Sequence, residues 1–434
     1  MAFEKNQPKV INGWCFYDWA NSVYTLTITS AIFPVYYNEI TREYFKGNTV
    51  IFFGFPIENT VLYSYSLSFS FLVIVFLSPF LSGIADYGGM KKKMMKIFTA
   101  IGSFSCMALF FFEGYNIEWG IIFCMLASLG WAGSLVFYNA FLPEIASPDR
   151  FDRISARGFA MGYIGSVIQL VISLLIVLQP EFFGLEKGTF PARLSFLTVG
   201  IWWFGFAQIS FYLLPDNIHL KKNTSANIVN KGFLELKKVY EQVVVNTPIK
   251  RYLIAFFFYN SGVQTVMLLA ATFGEKALSL KAEDLIMTVL LIQLVAIGGA
   301  YLFAKVSASF GNKISLIIMV VIWIGICLFA YLTQTPEEFY LLAFVVGVVM
   351  GGIQSLSRST YSKLIPEKTI DTASFFSFYD VTEKLSIVLG TFSYGLVEQI
   401  TGNMRFSALF LAIFFTIGLF FLFRFEMKVT RMAS

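Results

Sequence analysis

Charge is scarce in this 434-residue chain: only 14% of residues are Asp, Glu, Lys or Arg, while 57% are hydrophobic. An average soluble domain carries roughly 25% charged residues, so a water-soluble fold has nowhere to hide this much apolar surface. Histidine is almost missing. The single copy, His219, falls in a polar stretch and leaves no histidine-based metal centre and no Ser-His-Asp triad. Four cysteines, Cys15, Cys106, Cys124 and Cys327, each sit inside an apolar run without C-x-x-C spacing, so they read as small fillers rather than disulfide or metal partners. A phosphate-binding G-x-x-x-x-G-K-[ST] loop and a G-x-S-x-G elbow are both lacking, so ATP-driven pumping would need a separate subunit. The reading is not an enzyme, and no cofactor is called for. A net charge of +5 could suggest nucleic acid, but the basic residues are scattered between apolar segments rather than gathered on one soluble face, and no nucleic-acid partner is expected.

What the chain has in abundance is apolar and aromatic residues, including 50 Phe, 21 Tyr and 7 Trp. Each membrane-spanning helix needs roughly 20 mostly apolar residues, and aromatic side chains suit helices that meet lipid and its headgroups. Apolar runs between charged or Pro/Gly-rich punctuation place spans near 11–37, 62–85, 95–112, 119–141, 154–178 and 192–214. Six more fall near 251–274, 285–308, 314–332, 339–361, 374–398 and 404–425. The fold expected is an all-α membrane protein of twelve transmembrane helices, arranged as two pseudo-symmetric six-helix bundles, 1–214 and 251–434, joined by a cytoplasmic linker, 215–250.

Lys and Arg are retained on the cytoplasmic side during insertion. With both termini cytoplasmic, most of the 32 fall on that side. The opposite loops hold only Arg42, Lys46, Lys187, Arg193, Lys276, Lys281 and Arg405. The linker carries Lys221, Lys222, Lys231, Lys237 and Lys238 around a short amphipathic piece, Phe233–Val245, which can lie against anionic headgroups or act as a plain connector. Membrane lipid is thus one expected partner. The two halves echo each other in order: Phe16-Tyr17-Asp18 with Phe258-Tyr259-Asn260, Leu142-Pro143-Glu144 with Ile365-Pro366-Glu367, and Asp86-Tyr87-Gly88-Gly89-Met90-Lys91 with Ala308-Ser309-Phe310-Gly311-Asn312-Lys313. Duplication of a six-helix unit explains such a pattern.

The loop after the second span, Ser82-Gly83-Ile84-Ala85-Asp86-Tyr87-Gly88-Gly89-Met90-Lys91-Lys92-Lys93, resembles the G-x-x-x-D-x-x-G-[RK]-[RK] signature of the major facilitator superfamily. Ser82 departs from it at the first glycine and Met90 at the first basic position. Tyr17-Asp18-Trp19-Ala20-Asn21-Ser22, Asn139-Ala140-Phe141-Leu142-Pro143-Glu144, Gly262-Val263-Gln264-Thr265 and Gly351-Gly352-Ile353-Gln354-Ser355-Leu356-Ser357-Arg358-Ser359 together resemble the branch holding the autophagy-related vacuolar amino-acid effluxers and their bacterial relatives. The resemblance implies a carrier of a small-molecule solute, with amino acids among the candidates. It also implies a cytoplasmic gate at Asp86, Gly89 and Lys91, to which Glu144 and Arg157 are added.

Charges inside spans are costly, about 2.5–3.5 kcal/mol each on insertion scales, and normally face a cavity or one another. Asp18, Asn21, Ser22, Thr25 and Thr29 recur at three- and four-residue spacing, as do Asn260 with Gln264 and Gln354 with Arg358. With Asn139 they are the expected substrate-cavity residues, although polar contacts between packed helices give the same stripes. Asp380, Glu383 and Lys384 stand at i, i+3 and i+4, a spacing that allows an ion pair, structural or coupling. Together with Asp18 they are the proton-coupling candidates. Gly158-x-x-x-Gly162 and the stripe Ala296, Ala300, Ala304, Ala308 read as faces on which bundles slide, and Pro79 and Gly347-x-x-x-Gly351 as bends. The function expected is secondary transport by alternating access in the cell membrane, a bacterial inner membrane by the short termini, from a monomer. A membrane solute sensor of the same fold, without net transport, is the alternative.

Overall fold

The computed structural model describes residues 4–216, 228–367 and 369–427. His219, Lys221 and Lys222 lie outside the described residues. The first half comprises α1 (Pro8–Val23), a π-helical stretch (Tyr24–Ala31), α2 (Phe33–Phe45), the hairpin β1 (Thr49–Phe52) and β2 (Phe55–Glu58), then α3 (Asn59–Gly88), α4 (Lys91–Ala108), α5 (Ile117–Ile145), α6 (Phe151–Leu178) and α7 (Phe190–Leu213). A short helix, α8 (Ile228–Val245), leads to α9 (Thr247–Leu278), α10 (Ala282–Phe310), α11 (Asn312–Leu332), α12 (Pro336–Leu364), α13 (Thr372–Thr401) and α14 (Met404–Arg424).

Among the described residues, ten helices are long and apolar enough to cross a membrane. Two further spans complete the twelve expected. One is the first, whose helix is divided between α1, the π stretch and α2; the other is α13, whose 30 residues carry Asp380, Glu383 and Lys384. The division of the first span has a local cause. Pro34 lies near the start of α2 and offers no N–H to the preceding turn, while the run Thr25-Leu26-Thr27-Ile28-Thr29 is crowded with β-branched side chains. The chain widens to i→i+5 bonding, with Ile32 N–H donating to the Thr27 carbonyl at 2.9 Å. A π turn takes more residues than an α turn, so the face predicted by uniform spacing from Asp18 to Thr29 holds only as far as Val23. Beyond it Thr27 becomes buried, and Thr25 and Thr29 are half-buried.

The chain divides into two compact units, 1–141 with 161–232, and 142–160 with 233–434. In the first, α7 packs against α1 and α4, and α4 meets α5 where Gly130 lies on the backbone of Gly102 with no space for a Cβ. In the second, α10 crosses α12 closely: Gly351 rests on the Ala296 carbonyl, and Gly347 on the Ile292 carbonyl at 2.8 Å from where a Cβ would stand. This corrects the small-residue reading. Gly347 and Gly351 serve this crossing rather than a bend, and Ala296 and Ala300 are buried in it, while Ala308 is exposed. The fourth span also runs further than expected, since α5 continues through Pro143 to Ile145.

The hairpin is an addition that the all-α reading did not contain. Its strands pair antiparallel from Thr49 with Glu58 to Phe52 with Phe55, across a two-residue turn in which Phe53 and Gly54 both take positive φ, the geometry that two-residue hairpin loops favour.

Candidate solute and gating sites

In the first unit, Asp18 is buried on α1, 4% exposed, and accepts a hydrogen bond from the Tyr138 hydroxyl at 2.7 Å. Tyr138 is held by its neighbours. Its ring stacks on Trp14 with centroids 4.5 Å apart, and the Trp14 indole N–H donates to its carbonyl at 2.9 Å. The Tyr17 ring leans against it at 5.0 Å, and the Tyr17 hydroxyl shares a 2.7 Å hydrogen bond with Thr99. One turn on from Asp18, the Asn21 amide nitrogen is buried with no hydrogen-bond partner among the described residues. Gly162 lies against Ser22 and the Asp18 carbonyl, which brings α6 close to α1. A carboxylate walled by aromatic rings beside an amide donor can hold a polar group of either sign. Asn139, beside Tyr138 on α5, is half-buried.

In the second unit the polar residues of α9 and α13 meet. Gly390 lies on the Ser261 carbonyl and Thr265 with no room for a Cβ, and this close crossing brings Asn260 to within 2.7 Å of the Ser386 hydroxyl, to which its amide donates. Gln264 donates to the Asn260 carbonyl oxygen at 3.4 Å and to Glu383 at 3.5 Å. The Lys384 side chain is fully buried and lies 3.1 Å from Glu383 and 3.5 Å from Asp380. Asp380 is itself buried, whereas about a quarter of the Glu383 side chain is accessible, 23%. Two carboxylates share this one ammonium, with the Gln264 and Asn260 amides beside them. Gln354 is half-buried on α12 and donates to the Met267 sulfur at 3.3 Å.

The segment 142–160, borrowed by the second unit from the first half of the chain, is gripped at three points. Glu144 accepts from the Thr372 hydroxyl at 2.7 Å. Asp152 receives the Lys363 ammonium at 2.6 Å, the Asn312 amide at 2.8 Å and the Ser307 hydroxyl at 2.9 Å. Arg358 donates to the Ser155 hydroxyl at 2.9 Å and to its carbonyl at 3.0 Å, with its guanidinium 4.2 Å from the centre of the Phe159 ring. Salt-bridged, bidentate and largely buried, these contacts form a latch. Arg358, expected in the cavity, makes these contacts with Ser155 and Phe159. Arg157 is exposed and makes no ion pair among the described residues.

Back in the first unit, α3 ends in the residues of the superfamily-like loop. Gly89 adopts φ 64°, a left-handed conformation that terminates helices and that glycine takes without strain, and Met90 N–H closes the turn on the Ala85 carbonyl at 2.8 Å. That turn returns Lys91 to Asp86, whose carboxylate it meets at 3.1 Å. Lys92 reaches the Leu214 carbonyl and Asp216, both at 2.7 Å. Its ammonium holds the Asp216 carboxyl below the usual carboxylate range.

Sequence spacing singled out Asp18, Asn260, Gln264, Asp380, Glu383 and Lys384, and the last five lie in one cluster. It missed Tyr138, Ser386, Asp152, Ser155 and Lys363. The Asn312-Lys313 echo was the one trace of the Asp152 contact.

Twelve spans, intramembrane charges paired within them and a basic turn after the second define a transporter of the major facilitator superfamily. Solved members share its fold: a proton:xylose symporter matches with TM-score 0.72 at 12% identity over 96% of this chain and 95% of its own. The Escherichia coli fucose:proton symporter matches with TM-score 0.69 at 14% identity over 97% and 98%. Within that class the chain belongs to the Atg22-like vacuole effluxer family, whose model matches residues 6–151 and 147–433. An MFS-type transporter of Bacillus subtilis (strain 168), YxiO, is 30% identical over 416 residues, 96% of this chain and 94% of that protein. Autophagy-related protein 22 of Saccharomyces cerevisiae (strain ATCC 204508 / S288c) is 26% identical over 403 residues, 80% and 74% respectively. The chain is a multi-pass membrane protein of secondary transport, and its partner is a small-molecule solute.

Proposed function

We propose that the protein moves a small hydrophilic solute carrying both charges, with amino acids the first candidates, by alternating access coupled to protons. The cluster of Asn260, Gln264, Asp380, Glu383 and Lys384 carries this reading. Buried charges in a spanning helix are retained against their insertion cost where they serve transport, and this cluster presents carboxylate, ammonium and amide groups together, the set a zwitterion needs. Asp18 with Tyr138 and Asn21 supplies a second polar station in the first unit. Glu383, the more accessible carboxylate, is the coupling group in this scheme, and Lys384 balances it. The latch on 142–160, which includes Glu144, is the gating element of the second unit, and Asp86, Gly89 and Lys91 are that of the first. The distribution of Lys and Arg supports a cell-membrane protein with both termini in the cytoplasm, working as a monomer.

Gradient-driven uptake by proteoliposomes tests the coupling. A proton gradient should drive accumulation of labelled amino acids by the native protein, and Glu383→Gln should abolish accumulation while leaving exchange at equal pH. Solute binding without any flux would instead establish the sensor alternative.

A further inference from the structure

Helix α8, 18 residues long, neither spans the membrane nor lies wholly within the protein. Its inward face is short: Val239 is fully buried and Val243 is 7% exposed. Lys238 fastens this helix to the protein, 3.0 Å from Asp371 at the start of α13, with Glu235 at 3.2 Å from the same ammonium. A second stripe points away. Phe233, Lys237, Tyr240 and Val244 follow one another at i, i+4, i+7 and i+11, which places them on a single face. All four are exposed, Phe233 by 57%, Tyr240 by 55% and Val244 by 43%. Phe378 touches only one side of Tyr240, with ring centroids 6.1 Å apart.

Position decides what covers this stripe. Only Asn246 separates α8 from α9, a membrane span, and the Asn246 side chain caps α9 by accepting from Ile249 N–H at 3.4 Å. The end of α8 is therefore held at the mouth of a span, at headgroup level. The exposed charges around it are mainly cationic, Lys237, Lys250, Arg251 and Arg424 against Glu426, with the Arg251 guanidinium donating to the Arg424 carbonyl at 3.0 Å. Glu241, also exposed, lies at the stripe's edge, and Glu235 is taken up by Lys238. Lys237 makes no ion pair among the described residues. An apolar stripe interrupted by a free cation, fixed beside a span and flanked by three more cations, has the composition of an interfacial helix.

We infer that the outward face of α8 is a binding surface for anionic phospholipid headgroups, with Phe233, Tyr240 and Val244 entering the headgroup boundary and Lys237 contacting phosphate. The inference does not depend on the solute or on coupling, so it stands or falls apart from the transport reading.

The four native cysteines are buried, so a bimane label on Val244→Cys reports this face alone. The full-length protein is placed in nanodiscs of phosphatidylcholine, with or without phosphatidylglycerol, containing lipids brominated near the headgroup. Quenching should rise with phosphatidylglycerol and fall at high salt. Lys237→Gln should lower the ratio of docked to free helix about fivefold, the effect of one lysine at an anionic surface. Lys237 is exposed, so this variant leaves the packing of α8 unchanged. Quenching equal in both lipids and insensitive to salt and to Lys237→Gln would overturn the inference. So would protection that appears only with two copies per disc, or only on adding a soluble protein, because those results assign the stripe to a protein partner.

Discussion

Lys384 shows what a buried charge demands of its surroundings. Its ammonium is removed from solvent and sits between Asp380 and Glu383. Removing one partner of a buried pair leaves the others uncompensated, at a cost of about 3–5 kcal/mol. Lys384→Met should therefore lower the thermal stability of the purified protein sharply, and Lys384→Met with Asp380→Asn and Glu383→Gln should recover much of the loss. Asp152 and Lys363 call for a different measurement, since each has other partners. A double-mutant cycle on Asp152→Asn and Lys363→Met should return a coupling of about 0.5–3 kcal/mol, as for residues in direct contact, whereas additive effects would remove the pair from the latch. Local spacing made the first cluster legible, because i, i+3 and i+4 on one helix are neighbours whatever the tertiary fold. It could not show the second, whose members stand 211 residues apart on segments that only folding brings together. Tyr138 was invisible for the same reason: nothing near residue 138 marks it as the partner of a carboxylate on the first span.

Among the elements, the spans were the most legible, because apolar length is a direct consequence of bilayer thickness. Departures occur where local chemistry overrides the regular period. The π stretch after Val23 follows from Pro34 and a run of β-branched residues, and it replaces the uniform helical period between Tyr24 and Ala31. The hairpin at 49–58 was hidden within an aromatic run, Val50-Ile51-Phe52-Phe53-Gly54-Phe55, whose turn uses Phe53 at positive φ instead of the usual Asn or Asp. The crossing of α9 and α13 depends on Gly390. Gly390→Leu should push these helices apart and abolish transport, while Gly395→Leu, on the same helix with open space around it, should be tolerated in the same uptake assay. The tie between α8 and α13 should respond to alkali. The hydrogen bond from Lys238 to Asp371 raises the Lys238 pKa above its ordinary value. The tie is fully present below that ordinary value, about 10.4, and is lost as pH rises through the higher folded value. A spin label on the exposed face of α8 should thus stay immobile at neutral pH and loosen only in strong alkali. Loosening near neutrality would show that another group holds the helix.

At the scale of the whole molecule, the scarcity of charge had already set the solvent, and the solvent set the architecture. Among the described residues, helix length and apolarity together pick out ten of the spans. The remaining two, α1–α2 and α13, fall short of an apolar criterion because they carry a broken helix and three charges. Twelve spans, a matched family and polar clusters inside the helices place secondary transport on firm ground, and the identity of the solute rests on the chemistry of those clusters. Solute counterflow in proteoliposomes tests this most directly, because it requires a carrier that binds on one side and releases on the other without any driving gradient. The native protein should show saturable counterflow of an amino acid, and Asn260→Ala or Gln264→Ala should lower its kcat/KM by about tenfold or more, the equivalent of one lost hydrogen bond to a charged group at about 1.5–3 kcal/mol. Counterflow of every solute tried that survives both substitutions unchanged would contradict the assignment of the α9–α13 cluster as the transport site.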